Sequence, residues 1–215
     1  MTPAKLDHRR AEVKSRSAEK GSSREQILEA ATRVFAKRGY RDASIAEIAA
    51  GAGFSKGALY WNFKSKAELF FALLDRVEER LRVLLTLIAS SPTDRDVTAE
   101  LSRHLATLLE QNRDVVLVFH EYTALAVRDP ALAKRYAERS ASFRKAVASA
   151  IEGRFEALGV PLSMPAENLA TVVMSLVIGL SVEQLTEPEA VSEDLFGRVL
   201  AVLEAGMAHE AGPEA

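Results

Sequence analysis

The sequence predicts an all-α protein of about nine helices, with an N-terminal three-helix helix-turn-helix domain followed by a larger helical domain. Apolar residues recur at three- and four-residue steps in segment after segment, and no stretch alternates apolar with polar residues between turn signals. Serine-led capping pairs open several of these segments. No proline lies between Ala4 and Ser91, and Pro92, Pro130, Pro161, Pro165 and Pro188 all fall between periodic segments, where they mark helix boundaries.

Residues 1–21 read as a basic flexible arm, with Lys5, Arg9, Arg10, Lys14, Arg16 and Lys20 against Asp7, Glu12 and Glu19. Such an arm can follow a DNA groove or backbone, or be a solvated tail. The first clear helix is predicted from Ser22 or Ser23, where Ser22 with Glu25 and Ser23 with Gln26 have capping-box spacing. Ile27, Ala31, Val34 and Phe35 form its apolar stripe, and Gly39 is placed to stop it in a left-handed conformation. Ser44 with Glu47 opens a short second helix, Ser55 caps a third, and Ser65 with Glu68 opens a long fourth that buries Leu69, Leu73, Leu74, Val77, Leu81, Leu84, Leu85 and Ile88. Later helices are predicted near 94–111, 113–127, 130–157, 165–185 and 189–208, with Asp129-Pro130 starting the longest and Gly159-Val160-Pro161 ending it. The domains are therefore 1–21 (arm), 22–66 (helix-turn-helix) and 67–215 (helical body).

Composition excludes several classes of function. The chain has 215 residues, 27% of them charged, and no cysteine. That rules out disulfides, thiolate metal sites and cysteine nucleophiles, and it fits a reducing compartment, so a cytoplasmic location is expected. The N-terminus lacks an apolar leader, and the longest charge-free apolar run, Leu169 to Val182, is shorter than the ~18–20 residues that span a bilayer, so no membrane partner is expected. The net charge of −2 divides unevenly. Through Lys66 there are 14 Lys and Arg against 7 Asp and Glu, and beyond it 14 against 23. A +7 module meant for an anionic partner is joined to a −9 body.

The segment 45–64, IAEIAAGAGFSKGALYWNFK, carries the specific signal. Ile45, Ile48, Ala49, Ala52, Phe54 and Leu59 are spaced to pack two short helices at a steep angle, with Gly53 in the turn between them. In such a pair the second helix enters the major groove of DNA. Residues 24–74 resemble the DNA-binding domain of the tetracycline-repressor (TetR) family of bacterial transcription regulators, through Ile27, Ala31, Phe35, Gly39, Ile48, Ala49, Ala52, Gly53, Ser55, Leu59, Tyr60, Phe63, Lys66 and Leu69. Carried over by position, the resemblance implies that Lys56, Gly57 and Ala58 face base edges and that Ser44, Ser55, Tyr60, Trp61 and Lys66 sit on phosphates. Many family members have Thr and His where this chain has Ala58 and Trp61.

Apparent catalytic motifs dissolve on inspection. Gly53-Phe54-Ser55-Lys56-Gly57 spells a nucleophile elbow, but a helix and not a strand precedes it. The glycines at 51, 53 and 57 lack a dinucleotide strand for the same reason. His8, His104, His120 and His209 are scattered without metal-ligand spacing. No enzyme, metal or cofactor is expected.

The body has two expected roles. Segment 169–185 is apolar nearly all round and offers Ser175 and Gly179 as a small face; such a helix must be buried in its own subunit or against a partner. With 189–208 it resembles the paired C-terminal helices through which this family forms homodimers on a palindromic double-stranded operator. The resemblance also implies a pocket for a small, largely hydrophobic effector, with His104, Phe119, Tyr122, Phe143 and Met174 as candidate lining. His104 can equally be a core histidine, and the others plain core. Effector binding would swing the fourth helix, change the separation of the two reading helices and release a repressed promoter. The alternative is a DNA-binding or architectural protein of the same fold with a solid body and no effector.

Overall fold

The computed structural model describes residues 3–90 and 96–210, with side chains from residue 23 onward except those of 87, 88, 90, 96 and 210. Among the described residues there are nine α-helices, one short 3-10 turn and no strand, as the sequence predicts. Ile88 and the basic side chains of the arm therefore lie outside the described side chains, as do residues 94 and 95 of the predicted fifth helix. The chain divides into two compact units, Met1–Leu74 and Asp75–Ala215.

In the first unit, α1 (Pro3–Asp42) already runs through the stretch read as a flexible arm. The Ser22 and Ser23 spacings are not a helix start. The physical reason is composition: Ala, Lys, Leu, Glu and Arg dominate residues 4–20 and favour helix, and Pro3 occupies a first helical position that needs no N–H. Gly39 breaks α1 at φ 77° and ψ 166°, a conformation essentially reserved for glycine, so it is extended there and not left-handed helical.

Beyond the break, α2 (Ile45–Gly51) and α3 (Lys56–Asn62) form the predicted pair. Gly53, at φ 74°, ends α2: its N–H donates to Ala50 O at 3.1 Å while Phe54 N donates to Ala49 O at 2.9 Å. Ile27, Ala31, Phe35, Ile48, Ala49, Leu59 and Phe63 are buried between the helices, and the rings of Phe35, Tyr40 and Phe70 follow one another at 5.7 and 5.4 Å. This unit also takes in the start of α4 (Lys66–Ser90), because Ala67, Leu69, Phe70, Leu73 and Leu74 complete its core. It thus extends eight residues past the expected boundary at Lys66.

The second unit holds the rest of α4 with α5 (Asp96–Gln111), α6 (Arg113–Ala126), α7 (Pro130–Leu158), α8 (Ala166–Thr186) and α9 (Leu195–Glu210). Asp129 starts α7 as predicted, its Oδ1 accepting from Ala131 N at 2.9 Å and Leu132 N at 3.2 Å. The last helix begins later than predicted: residues 188–190 form a 3-10 turn, and α9 opens only after Ser192 Oγ has bonded to the Asp194 carboxylate at 2.7 Å. Small side chains let α7 and α8 pack closely, with Val147, Ala148, Ala166 and Ala170 in one buried cluster. Buried Arg154 on α7 holds Glu204 on α9 with two hydrogen bonds, at 3.1 and 3.4 Å. Arg139 on α7 joins Asp75 at 2.7 Å and Glu78 at 2.9 Å on α4. Helix α8 is long and apolar enough to cross a bilayer by length and composition, although little of it is buried in this chain. Counting only the charge-free run from Leu169 underestimates it, because its flanking polar residues are mostly uncharged.

The approach of α5 to α9 at Gly197 leaves no room for a side chain. A Cβ on Gly197 would fall on the Thr98 carbonyl, 2.8 Å from its carbon, and 3.0 Å from Ser102 Cβ. Backbone cannot step aside as a flexible side chain can. Gly197→Ala is expected to lower the unfolding free energy by about 1–3 kcal/mol, as overpacked cores do, measurable by urea denaturation. An unchanged midpoint would show that the two helices slide apart freely.

Candidate nucleic-acid interface

Helix α3 owes its existence to two anchors and a cap. Leu59 and Phe63 are fully buried beneath it, each contributing about 1.5–3 kcal/mol by burial. Ser55 caps the helix in an extended conformation, its Oγ accepting from Ala58 N at 3.1 Å. A seven-residue helix would not persist alone, so these contacts decide which face is left outside. That face carries Lys56, Gly57, Tyr60 and Trp61, all exposed, with Ala58 half-buried at its edge. Trp61 is 80% exposed and Tyr60 45%. The Lys56 ammonium lies 6.0 Å from the Tyr60 ring centre, on the same outer side. Gly57 is not required by the protein's own packing, since an added Cβ would meet only Ser55 Oγ at 3.8 Å. A glycine inside a helix costs about 1 kcal/mol relative to alanine, and here nothing internal explains it.

The two serines differ. Ser55 leaves its hydroxyl hydrogen available to an outside acceptor, whereas Ser44 is inside a full capping box. Ser44 Oγ accepts from Glu47 N at 3.1 Å and donates to Glu47 Oε2 at 3.1 Å, while Ser44 N donates to the same carboxylate at 3.3 Å. Those bonds, with Arg38 3.4 Å from Glu47 Oε1, hold the Glu47 carboxyl below its usual pKa. Lys66 also turns toward the unit's own backbone. Its Nζ donates to Arg41 O at 2.8 Å and to Ala43 O at 3.0 Å, within the unit.

Three internal contacts have no signal in the sequence. Arg24 stacks its guanidinium 4.3 Å over the Phe63 ring and donates to Asn62 O at 3.4 Å. Arg33 donates to Gly51 O at 3.4 Å, and Arg38 pairs with Glu47. Spacings of 9 to 39 residues between helices cannot be read from periodicity.

The residues expected around an effector fall into three places in the second unit. Phe143 and Met174 come together, partly buried against the Val147–Ala170 cluster with Leu85, and Arg82 lies 5.4 Å over the Phe143 ring. Phe119 on α6 stands 6.1 Å from Tyr136 and 5.5 Å from His120. Tyr122 is fully buried, which pushes its phenol pKa up. His104 is exposed, its Nδ1 near Glu100 O of its own helix at 2.8 Å. The buried stripe of α5 centres on Ser102 and Leu105, so His104 falls off its edge and does not join the interior set.

Among the described histidines, His120 points inward. Its Nε2 is 2.8 Å from Ser181 Oγ on α8, and because that hydroxyl donates to Ile178 O at 2.8 Å, His120 is the donor. Burial lowers the His120 pKa from 6.5. The unfolded chain therefore binds this proton more readily, so stability is lost as pH falls below about 6.5 and is regained above it. Urea titrations at pH 7.5 and 5.5 should show a drop for the natural chain that His120→Gln reduces. An identical drop in both would remove His120 from the account.

A short exposed helix, held from behind by a three-helix core and following a glycine turn, defines a helix-turn-helix DNA-binding protein. The description "Bacterial regulatory proteins, tetR family" matches residues 27–73, and "BetI-type transcriptional repressor, C-terminal" matches residues 98–210. The chain belongs to the TetR family of bacterial transcriptional regulators. Over 67 residues it is 48% identical to the HTH-type transcriptional regulator TtgR of Pseudomonas putida, a match covering 31% of this chain and 32% of that protein. The chain thus spans only about a third of TtgR's length. It is 30% identical to the HTH-type transcriptional repressor Rv1474c of Mycobacterium tuberculosis over 159 residues, covering 73% of this chain and 79% of the relative. A crystal structure described as a TetR-family transcriptional regulator from Rhodococcus sp. aligns with a TM-score of 0.69 at 25% identity, covering 87% of this chain and 99% of that one.

Trp61 separates contact from packing. Trp61→Ala should change the unfolding free energy by less than about 0.5 kcal/mol, because the ring is in solvent, while duplex affinity falls about tenfold. Loss of stability with unchanged affinity would make the ring a packing residue.

Proposed function

We propose that this chain is a repressor that binds a palindromic DNA operator as a homodimer and is released by a small, largely hydrophobic effector. The exposed outer face of α3 and its cap is the observation that carries the DNA reading: on it, Lys56, Gly57 and Ala58 would meet base edges and Ser55, Tyr60 and Trp61 phosphates. A single α3 meets only a few base pairs, and a two-fold dimer doubles them.

The dimer surface is α8 with α9. Thr171, Val172, Ser175, Gly179 and Val182 are exposed along α8 at three- and four-residue steps, and Ala201, Val202 and Ala205 along α9. Val172 is 51% exposed and Val202 70%. Exposed apolar side chains flanked by small ones suit a second copy better than water. An added Cβ on Gly179 or Gly206 meets nothing within 4 Å in this chain. Each glycine's outward space is thus open for a neighbouring helix.

For the effector, Phe143 and Met174 with Leu85, and Phe119 beside Tyr136, supply apolar surface that remains partly exposed in the second unit. Tyr122 supplies a buried polar group on the same helix as Phe119. Binding there shifts the population toward a dimer whose reading helices no longer match one DNA turn, about 34 Å. A compound that weakens operator binding must itself be weakened by operator by the same factor.

The test begins with a 30-base-pair duplex selected by the full chain from a randomised pool, with an inverted repeat expected in the selected sequences. Gly179→Arg should then sediment as a monomer with unchanged helix content and lose affinity for that duplex by about a hundredfold or more. A dimeric Gly179→Arg that still binds would remove α8 from the interface. Absence of any enriched sequence would contradict DNA reading itself.

A further inference from the structure

The +7 charge of the first 66 residues suggests an array of cations all turned toward phosphate. The first unit uses several of them differently. Each of its three short-range helix ends is met by a cation from another helix: Arg24 at Asn62 O, which ends α3, Arg33 at Gly51 O, which ends α2, and Lys66 at Arg41 O and Ala43 O, where α1 gives way to α2. Helix C-termini carry unsatisfied carbonyls and a partial negative charge, so these are favourable places for cations.

Lys66 is the strongest of the three. It stands at the first position of α4, where a positive charge opposes that helix's own dipole. An ammonium has three hydrogens to donate. Two go to Arg41 O at 2.8 Å and Ala43 O at 3.0 Å, and the charge rests 4.9 Å from the Tyr40 ring centre. Tyr40 is buried and touches both Phe35 and Phe70. The side chain therefore ties the start of α4, three residues after the buried anchor Phe63, to the corner that presents Ser44 and opens α2. Both sides of the helix-turn-helix are fixed relative to each other through it.

We infer that Lys66 is a positioning residue for DNA reading, holding the α1–α2 corner against the start of α4, and not a phosphate ligand. The inference rests on the reading of α3 as the DNA-contacting helix. It assigns the phosphate-facing charge of this region to Lys56, which is exposed on α3.

Two measurements on the full chain test it. Acetylation with a succinimidyl ester, followed residue by residue by mass spectrometry, reads whether each lysine amine is engaged. In the free chain Lys66 should label at least about tenfold more slowly than Lys56, because two hydrogen bonds hold it, and adding the selected 30-base-pair duplex should slow Lys56 while leaving Lys66 unchanged. Lys66 labelling as fast as Lys56 when free, and becoming protected by the duplex, would overturn the inference. In Lys66→Met, duplex affinity should fall about tenfold with the slope of log affinity against log salt unchanged, whereas a lost phosphate contact lowers that slope by about one. A reduced slope, or an unchanged affinity, would also overturn it. If Lys66→Met does not fold, labelling of the natural chain decides the matter. Failure to select a duplex would contradict the DNA reading, while labelling of the free chain still bears on Lys66 alone.

Discussion

Everything outward-facing in the first unit depends on how little of α3 is buried. Leu59 and Phe63 are fully buried, and Phe35, Ile48 and Ala49 belong to the same buried set in this unit. These few side chains supply the free energy that a seven-residue helix cannot supply for itself. They also set its rotation. Turning α3 by one residue would bury Tyr60 and expose Leu59, so the core chooses which side chains can meet DNA. The glycine turn at Gly53 and the Ser55 cap only have to place the helix start, which they do with local hydrogen bonds.

Charge is used in two ways on the same small scaffold. Lys56 is left outside, while Arg24, Arg33, Arg38 and Lys66 each contact a carbonyl or carboxylate of the unit. The inward contacts of exposed arginines are individually small, about 0–1 kcal/mol, but they fall at helix ends where an unpaired carbonyl would otherwise face solvent or a neighbour. A basic net charge thus measures both assembly and partner binding. In the second unit the corresponding ties are Arg154 with Glu204 and Arg139 with Asp75 and Glu78, where burial raises the Glu78 pKa despite the arginine.

Much of this was legible because it is local. Capping serines at 44, 55 and 65, the glycine turn and the Asp129-Pro130 start follow from spacings of five residues or fewer, and the structure contains each of them; of the stripe predicted for α4, Leu69, Leu73 and Leu74 are buried, whereas Val77, Leu81, Leu84 and Leu85 are only half-buried. The illegible parts are of two kinds. Contacts such as Lys66 with Arg41 or His120 with Ser181 join residues far apart in sequence, and no period predicts them. Helix starts fail where several caps compete: residues 4–20 propagate helix so well that the serines at 22 and 23 lose their meaning, and the 3-10 turn at 188–190 takes the place of a first helical turn. His104 shows the same limit on a face, since the buried side of α5 runs through Ser102, Leu105 and Leu108 and leaves His104 exposed.

The two units make different demands on sequence. A reading helix tolerates few alternatives, which is why its motif is specific; a helical body needs only apolar stripes of the right period, and its exposed Val172, Gly179 and Val202 acquire meaning when a second copy is considered. The central claim is that two such α3 faces act together on one duplex. Hydroxyl-radical footprinting of the full chain on the selected duplex tests it most directly. Two protected patches on one face of the DNA, related by a dyad and centred about one helical turn apart, are the predicted result. One patch alone, or uniform weak protection along the duplex, would contradict it.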